Sequence, residues 1–519
     1  MKKQPDNVSP IAMSQGLRRY LYFTAACTGA AIMIVEILGA KMLTPYFGAS
    51  HFVWTAQIAV TLASLAAGYY AGGALVDRSP ALHRIYGLIL VAAVYLAAMI
   101  TLLEPLSKRF LAFNLAAGTL VAASVLFFIP LGILAMVGPF FVRVLLLSPG
   151  NVGGAVGRLS AISTVGSMIG TMLIGYVLLP LAPNSTTMFC TSLFLAALSL
   201  VYFLAWSRGR APGATALMVA TAAVGAVGVR IDHVATYPNS KILARKNSDF
   251  GSMHVVEVSG GIRYYMNDFL IQNSYDPATK ESVSLFTHML QLLSQTYSPK
   301  LQEVLCIGVG IGIVPMKLVD AGVKVDVVEI NPEVIPLAKD YFNFRPSELT
   351  VHVADGRQFL NHNRRHYDAV VLDAFLGDSS PSHLLTAEAF GSMRQSLKKE
   401  GVLVINCFGS FTPGEDFFLA SLDQTLKTQF SDVRIHHSGN GNVFFVASAS
   451  PLVVHHQPNF AGLPASIQNE ARRAWENIGT TDPKNGRVLT DDFNPVEFHD
   501  AKNREGFRRS LASAMLRRN

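Results

Sequence analysis

Residues 303–333 read EVLCIGVGIGIVPMKLVDAGVKVDVVEINPE, and this stretch decides the predicted fold of the second half of the chain. A short apolar run leads into a loop with Gly308, Gly310 and Gly312. A helical stretch follows, and then a second apolar run ends in Glu329. Glycines in such a loop let the backbone approach a ligand closely, and an acid at the tip of the second strand can hold ribose hydroxyls. The stretch therefore predicts a nucleoside-binding unit.

Strands and helices continue to alternate along the chain after this unit. Strands are predicted at 303–308, 324–329, 349–353, 368–373 and 401–406, and helices at 312–321, 332–341, 386–399 and 415–428. Alternation at this spacing predicts a mostly parallel, Rossmann-like sheet with helices on both faces. Ligands bind at the carboxyl ends of such strands, where Asp355 and Asp373 also fall. Upstream, 252–258 and 262–267 flank Gly260-Gly261 and predict a β-hairpin.

The first 230 residues have a different composition. Between residues 20 and 230 the acids are Glu36, Asp77 and Glu104. Apolar segments long enough to span a bilayer, which takes ~20 residues, lie at 20–43, 52–76, 85–103, 111–137, 159–181 and 187–206. A seventh, 213–229, either crosses or forms a linker helix. The predicted fold is thus an α-helical multi-pass membrane domain followed by an α/β Rossmann-like domain with an N-terminal β-hairpin region.

The predicted domain boundaries follow these shifts in composition. A transmembrane domain of six or seven helices takes 1–230, a linker 231–250, the hairpin and a helix 251–300, the Rossmann-like domain 301–500, and a basic tail 501–519. Within the first span, Glu36 is read either as a substrate or proton site or as an acid paired with Lys41 or a neighbouring helix.

The distribution of lysine and arginine predicts the orientation in the membrane. With the N-terminus inside, the inner segments carry ten basic residues and the outer ones three. Six spans would leave the second half in the cytoplasm and seven would place it outside. Because a nucleoside cofactor is made in the cytoplasm, the cytoplasmic side is favoured.

The charge distribution and the cysteine content limit which classes of partner are expected. The net charge of +7 is spread thinly, and the basic tail is better suited to anionic lipid than to nucleic acid. Four cysteines are too few for a disulfide framework. No Cys/His spacing suggests a metal site. The lipid bilayer is therefore an expected partner, and neither nucleic acid nor metal is.

Several motifs together resemble one family. They are IGVGIG (307–312), VVEINPEVIPLAKDYF (327–342), ADGRQFL (354–360), YDAVVLDAF (367–375), LTAEAF (385–390) and LTDDFNPVE (489–497). The region from about 240 to 500 resembles the spermidine synthase family of aminopropyltransferases, whose fold is that of S-adenosylmethionine-dependent methyltransferases. It is most similar to the membrane-fused bacterial members, which implies a multi-pass protein of the bacterial inner membrane.

The resemblance implies transfer of an aminopropyl group from decarboxylated S-adenosylmethionine to an amine acceptor similar to putrescine. Asp373 would orient and deprotonate the attacking amine. Glu329 would hold the ribose and Asp355 the adenine amino group, and Gly356 and Gln272 match further cofactor-side positions of the family. The three loop glycines complete the cofactor site. Family members are commonly dimers, so a homodimer is a candidate assembly.

The chain departs from the family pattern on the acceptor side. Ile311 stands where the family has an acid in its glycine loop, and Leu376 where it has a second acid after the catalytic one. Asp378 and His383 are the acceptor-side candidates. The Tyr-x-Glu pair of the family would fall near Ser282 and Ser284.

These departures keep two alternatives open. One is transfer from S-adenosylmethionine to an acceptor that is not a polyamine. The other is a transporter or sensor whose second half binds the nucleoside without catalysis. Since a dication needs paired carboxylates, three or more carboxylates around Asp373 would favour a diamine acceptor, and an apolar pocket would favour the first alternative.

Overall fold

The computed structural model describes residues 13–48, 51–146, 152–232, 240–248, 250–267, 270–374, 381–439 and 441–499. The chain divides after residue 234 into two compact units. Of the predicted site residues, Asp378 lies outside the described residues, as do Leu376 and the basic tail.

The first unit is built from long apolar helices. These are α1 Gln15–Phe47, α2 His51–Arg78, α3 Leu82–Phe110, α4 Leu115–Ala135, α5 Val137–Leu146, α6 Val152–Leu173, α7 Leu179–Leu181, α8 Asn184–Trp206 and α9 Ala211–Asp232. A π-helical turn, Ile174–Leu178, joins α6 to α7. Seven helical segments of the described chain are long and apolar enough to cross a membrane, and one of them covers Arg208–Ile231. The region predicted as the optional seventh span is therefore a full-length helix.

Glycines set the helix spacing in this unit. A β-carbon at Gly68 would collide with the backbone of Gly132, and one at Gly72 with the backbone of Met136. Without side chains at these positions, α2 packs directly on the backbone where α4 passes into α5. Gly73, in contrast, faces open space.

The second unit begins with an antiparallel sheet of five strands. In sheet order they are β1 Ser240–Ser248, β2 Gly251–Val258, β3 Arg263–Asn267, β4 Leu270–Asp276 and β5 Glu281–Ser282. The predicted hairpin is present as β2 and β3, which turn through Gly260 and Gly261 with positive φ.

The structure differs from the prediction in that 240–248, expected within a linker, is the edge strand β1. Its polar, basic sequence hides it from a search for alternating apolar residues, because an edge strand needs little buried surface.

A helix, α10 Leu285–Tyr297, leads to the second sheet. Its strands, in sheet order, are β13 Ile478–Gly479, β11 Asp432–His437, β12 Asn442–Ser448, β10 Leu397–Phe408, β9 Tyr367–Leu372, β6 Glu303–Ile307, β7 Lys324–Glu329 and β8 Thr350–Val353. The helices of this region are α11 Ile313–Asp320, α12 Val334–Phe342, α13 Gly356–His362, α14 Ala387–Gln395, α15 Phe417–Lys427, α16 Ala465–Glu476 and α17 Val496–His499.

The order of the strands positions the candidate site. From β6 the chain adds β7 and β8 on one side, and β9 and β10 on the other, all in parallel. The loop that follows β6 leads toward β7 on one side, whereas the loop that follows β9 leads toward β10 on the other side. A crevice for a ligand therefore opens between the carboxyl ends of β6 and β9. Separate apolar clusters cover the two faces of the sheet. This is the predicted Rossmann-like fold, closed at one edge by the antiparallel strands β12, β11 and β13.

Candidate active site

The loop between β6 and α11 carries the three predicted glycines, and all three have left-handed backbone. φ is +92° at Gly308, +54° at Gly310 and +83° at Gly312. A β-carbon at Gly308 would collide with the backbone of Asp373, and one at Gly312 with the ring of Phe344. Only glycine fits these two places, so the loop lies directly against the end of β9.

Glu329 ends β7, and its carboxylate is tied to the same loop. The residue is only 8% exposed. One carboxylate oxygen accepts the backbone N–H of Val309 at 2.9 Å, and the other accepts that of Asn331 at 2.8 Å. Burial raises the pKa of Glu329, and these N–H donors oppose that rise. Each oxygen has a further lone-pair direction, so the group can still accept ribose hydroxyls. That role stays a prediction.

Asp355 follows β8 and caps the N-terminus of α13. Its carboxylate accepts the backbone N–H of Gln358 at 3.0 Å and lies 2.9 Å from Nε2 of His383. Burial acts to raise the pKa of Asp355, but these partners outweigh it and lower the pKa below its ordinary value. The contact with Asp355 thus places His383, which is predicted on the acceptor side, beside the acid that is predicted to bind adenine.

The two remaining cofactor-side candidates have different surroundings. A β-carbon at Gly356 would lie 2.7 Å from the side chain of Ile307, so α13 begins in close contact with β6. Gln272 lies in a bulge of β4, where the pairing with β3 passes from Ile271 to Asn273. The neighbouring residue, Asn273, lines the cavity beside the glycine loop. Sequence reasoning selected Gln272, and its cofactor role stays a prediction.

Asp373 comes directly after β9 and is half-buried. Its backbone N–H donates to the carbonyl oxygen of Ile307 at 3.0 Å, which aligns the ends of β9 and β6. Its carboxylate accepts a hydrogen bond from Nδ2 of Asn406 at 3.0 Å. Burial raises the pKa of Asp373 from 3.8 to about 6, while the Asn406 donor opposes the rise. The carboxyl group is therefore ionised at neutral pH and can still accept a proton.

Asn406 is a site residue that sequence reasoning missed. It is 3% exposed and lies in the apolar strand β10, which neighbours β9. Its Oδ1 is buried and has no hydrogen-bond partner in the described part of the chain. The amide inside the apolar run VLVINCF (402–408) could have indicated a site residue, because buried polar groups usually have a hydrogen-bond partner or a functional role.

A small cavity opens between the glycine loop, β4 and the end of β9. It has room for about one water molecule. Asp373 is the single carboxylate among its described lining residues, which also include Asn273, Thr287, Cys306, Gly308, Val309, Ile313, Val314, Pro315 and Val371. In the part of the chain that the structure describes, no three His, Cys, Asp or Glu side chains are grouped to hold a metal ion.

Three of the positions at which the chain departs from the family pattern, Ile311, Ser282 and Ser284, lie within the described residues. Ile311 is 1% exposed and belongs to the apolar core rather than to the cavity lining. The hydroxyls of Ser282 and Ser284 both bond within the segment that contains β4 and β5. The described wall of the cavity therefore carries a single negative charge, at Asp373.

Comparisons with known proteins identify the family of the chain. The family model described as the spermine/spermidine synthase domain matches residues 268–436. A polyamine aminopropyltransferase from Vibrio vulnificus is 31% identical over 233 residues, which cover 43% of this chain and 77% of that protein. An N-terminal histidine N-methyltransferase from Emericella nidulans is 28% identical over 216 residues, 37% of this chain and 38% of that protein.

Among solved structures, spermidine synthase from Thermotoga maritima is 17% identical, with a TM-score of 0.35 and coverage of 45% of this chain and 88% of that one. The extent and identity of the match to the Vibrio protein, together with the domain match, establish the family. The chain belongs to the polyamine aminopropyltransferases, the family of spermine and spermidine synthases.

Proposed function

We propose that the protein is a membrane-anchored transferase that moves the aminopropyl group of decarboxylated S-adenosylmethionine to an amine. The observation that carries the proposal is the position of Asp373. Asp373 borders a cavity, its backbone lies directly against the glycine loop, and its carboxyl group has a pKa of about 6. Membership of the aminopropyltransferase family supports this choice of donor.

The chemistry needs one basic group at the acceptor. The acceptor nitrogen attacks the aminopropyl carbon bonded to the sulfonium sulfur. A C–N bond forms while the C–S bond breaks, and methylthioadenosine leaves with the electron pair. The nitrogen must then lose a proton. Ionised Asp373 can accept an N–H hydrogen bond, aim the nitrogen lone pair and take that proton, and a pKa near the working pH suits this task.

The nucleoside would lie across the ends of β6, β7 and β8. In this proposal the glycine loop contacts the donor through its backbone, and Glu329 accepts the ribose hydroxyls. Asp355 accepts a hydrogen bond from the adenine amino group, and Gly356 and Gln272 are further candidates for contact with the donor. Hydrogen bonds within the protein hold the carboxylates of Glu329, Asp355 and Asp373 in place, which favours a preformed site.

The described wall of the cavity beside Asp373 bears on how much positive charge can be buried there. It offers one carboxylate, and a second buried charge without a partner would cost several kcal/mol. We therefore expect only one amino group of the acceptor to lie in this cavity, beside Asp373.

A second candidate is methyl transfer from S-adenosylmethionine to an acceptor that is not a polyamine. Two observations favour it: Asp373 is the single carboxylate among the described lining residues of the cavity, and the chain is similar to a histidine N-methyltransferase. The leaving product would then be S-adenosylhomocysteine.

One experiment separates these candidates. Purified full-length protein is incubated with each labelled sulfonium donor, together with a monoamine, putrescine, spermidine or histidine. We expect methylthioadenosine to form from the decarboxylated donor in the presence of an amine. S-adenosylhomocysteine as the product would establish the second candidate instead. Binding of either donor without any product would leave only a nucleoside-binding role and would contradict both.

We also propose that the helical unit is embedded in the bacterial inner membrane, with the second unit on the cytoplasmic side, where the donor is made. Seven helical segments of the described chain are long enough to cross the membrane. If the N-terminus is inside, a cytoplasmic second unit requires that an even number of them cross. We expect a green fluorescent protein fused after residue 519 to fluoresce, and alkaline phosphatase fused there to be inactive. Fusions after residues 206 and 232 test the helix Arg208–Ile231 directly, and active phosphatase after 232 would contradict the proposal.

A further inference from the structure

A buried amide in the first unit has no hydrogen-bond partner among the described residues. Gln57, in the second turn of α2, is 0% exposed, and no residue that the structure describes is hydrogen-bonded to its Oε1 or Nε2. An amide buried in this way is unfavourable by several kcal/mol in an apolar environment unless something satisfies it. A wholly apolar side chain would pack here without that loss, so the amide needs an explanation.

The surroundings of Gln57 place the amide at a junction of three helices. Gly39 of α1 faces it, because a β-carbon on Gly39 would lie 2.9 Å from Nε2 of Gln57. The same β-carbon would lie 3.0 Å from the ring of Phe127 in α4. Glycine at position 39 thus makes room for the amide between α1, α2 and α4.

An unpaired acid lies one turn before Gly39 on the same helix. Residues three apart on a helix share a face, so Glu36 lies on the side of α1 that Gln57 approaches. Glu36 is half-buried and makes no ion pair or hydrogen bond with any described residue, including Lys41. Pairing with Lys41, one of the two readings of the sequence, is therefore not what the structure shows.

The helix α6, which packs on α1, ends in an irregular turn at about the height of Glu36 in the bundle. Gly166 packs on Ala26 and Gly170 packs on Ala30, so α6 runs parallel to α1 with a constant offset. One turn further on, Ile174 is level with residue 34, and there the π-helical turn Ile174–Leu178 begins. Single π-helical turns are frequent at functional sites. The acid, the amide and the irregular turn thus converge on one level of the bundle.

The structure assigns to Glu36 and Gln57 a binding site for a small organic cation with one ammonium group. The carboxylate supplies the opposite charge, and the amide oxygen accepts an ammonium N–H. The other two acids between residues 20 and 230 are paired, Glu104 with Lys108 at 2.6 Å and Asp77 with Arg143 at 3.8 Å. One uncompensated carboxylate matches one positive charge. This inference rests on the proposed location of these helices in a membrane.

The test uses full-length protein in lipid nanodiscs and carbon-14 methylamine as the probe. Every variant carries Asp373→Asn, so that the carboxylate of the candidate active site does not contribute to amine binding. We expect saturable binding that weakens at least about tenfold in Glu36→Gln and in Gln57→Leu, because each removes a charge-assisted contact. Glu104→Gln, which removes an acid already paired with Lys108, is the matched control and should bind like the parent.

The thermal stability of the same variants separates a ligand site from a structural role. Gln57→Leu removes an unsatisfied buried amide, so its melting temperature should equal or exceed that of the parent while binding is lost. No saturable methylamine binding in the parent, or unchanged binding in Gln57→Leu, would overturn the inference. Competition by sodium at equal concentration would do so as well, since it would show a site for inorganic cations.

Failure of this inference is distinguishable from failure of the proposed function. Transfer by the enzyme with intact Asp373 is assayed on separate protein and does not depend on Glu36. Extraction of cell membranes at alkaline pH reports insertion: protein released into the soluble fraction would refute the membrane location, and with it the site.

Discussion

Replacing Asp373 with asparagine is expected to lower the rate of group transfer about 100- to 10,000-fold, the usual contribution of a positioned general base. The amide has nearly the same shape as the carboxylate and cannot take the proton that the acceptor nitrogen must lose. The measurement is the turnover rate at saturating donor and acceptor, above neutral pH. Affinity for the sulfonium nucleoside should change little, because the described contacts of Asp373 lie at the end of β9 rather than at the nucleoside acids.

The stability of this variant provides the control. The pKa of Asp373 in the folded protein, about 6, lies above the ordinary 3.8, so its stabilising contribution is complete at low pH and is lost as the pH rises through 6. Asp373→Asn should therefore be more stable than the parent at pH 8, by on the order of 3 kcal/mol, with no gain at pH 3. Lower stability at pH 8, or unchanged turnover, would contradict the role assigned to Asp373.

A companion variant, Asn406→Leu, tests the position of the carboxylate without removing it. Asn406 donates to Asp373 and opposes the rise of its pKa, so losing this donor should raise the pKa further. The acidic limb of the pH–rate profile is expected to move to higher pH, and turnover should recover at alkaline pH. A uniform loss of activity at every pH would show that Asn406 has only a packing role.

The second large effect is expected at Gly308. Its φ of +92° is unfavourable for alanine, and a β-carbon would collide with the backbone carbonyl of Asp373, which cannot rotate away as a side chain can. We expect Gly308→Ala to destabilise the protein by more than about 2 kcal/mol and to abolish nucleoside binding, because the glycine loop and the end of β9 must separate. Thermal unfolding and equilibrium binding of the labelled donor are the two measurements.

Gly322→Ala is the matched control for this variant. Gly322 has a similar φ of +80°, but a β-carbon there would have no atom within 4 Å. The control therefore carries the backbone strain, of about 1 kcal/mol, without the collision, and it should retain donor binding. If Gly308→Ala bound the donor as tightly as Gly322→Ala, the contact between the loop and β9 would not be part of the site.

The sequence by itself determined the features that depend on local patterns. Apolar runs and helical spacing located the long helices of the first unit and β6, β7 and β9, because the apolar pattern of each segment shows which of its own residues are buried. The glycine loop could be identified in the same way, since left-handed backbone strongly favours glycine and Gly308, Gly310 and Gly312 all adopt it. Asp373 could be placed at a ligand crevice because the ends of parallel strands share one edge of a sheet.

Only the tertiary structure decided which side chains meet at the site. Asn406 reaches Asp373 across 33 residues of sequence, because β10 and β9 are neighbours in the sheet. A bulge in β4 leaves Asn273, rather than Gln272, lining the cavity, and His383 lies beside Asp355. Periodicity reports whether a residue is buried, but not which distant residue it meets. Contacts between strands that are neighbours only in the sheet therefore appear once the chain is folded.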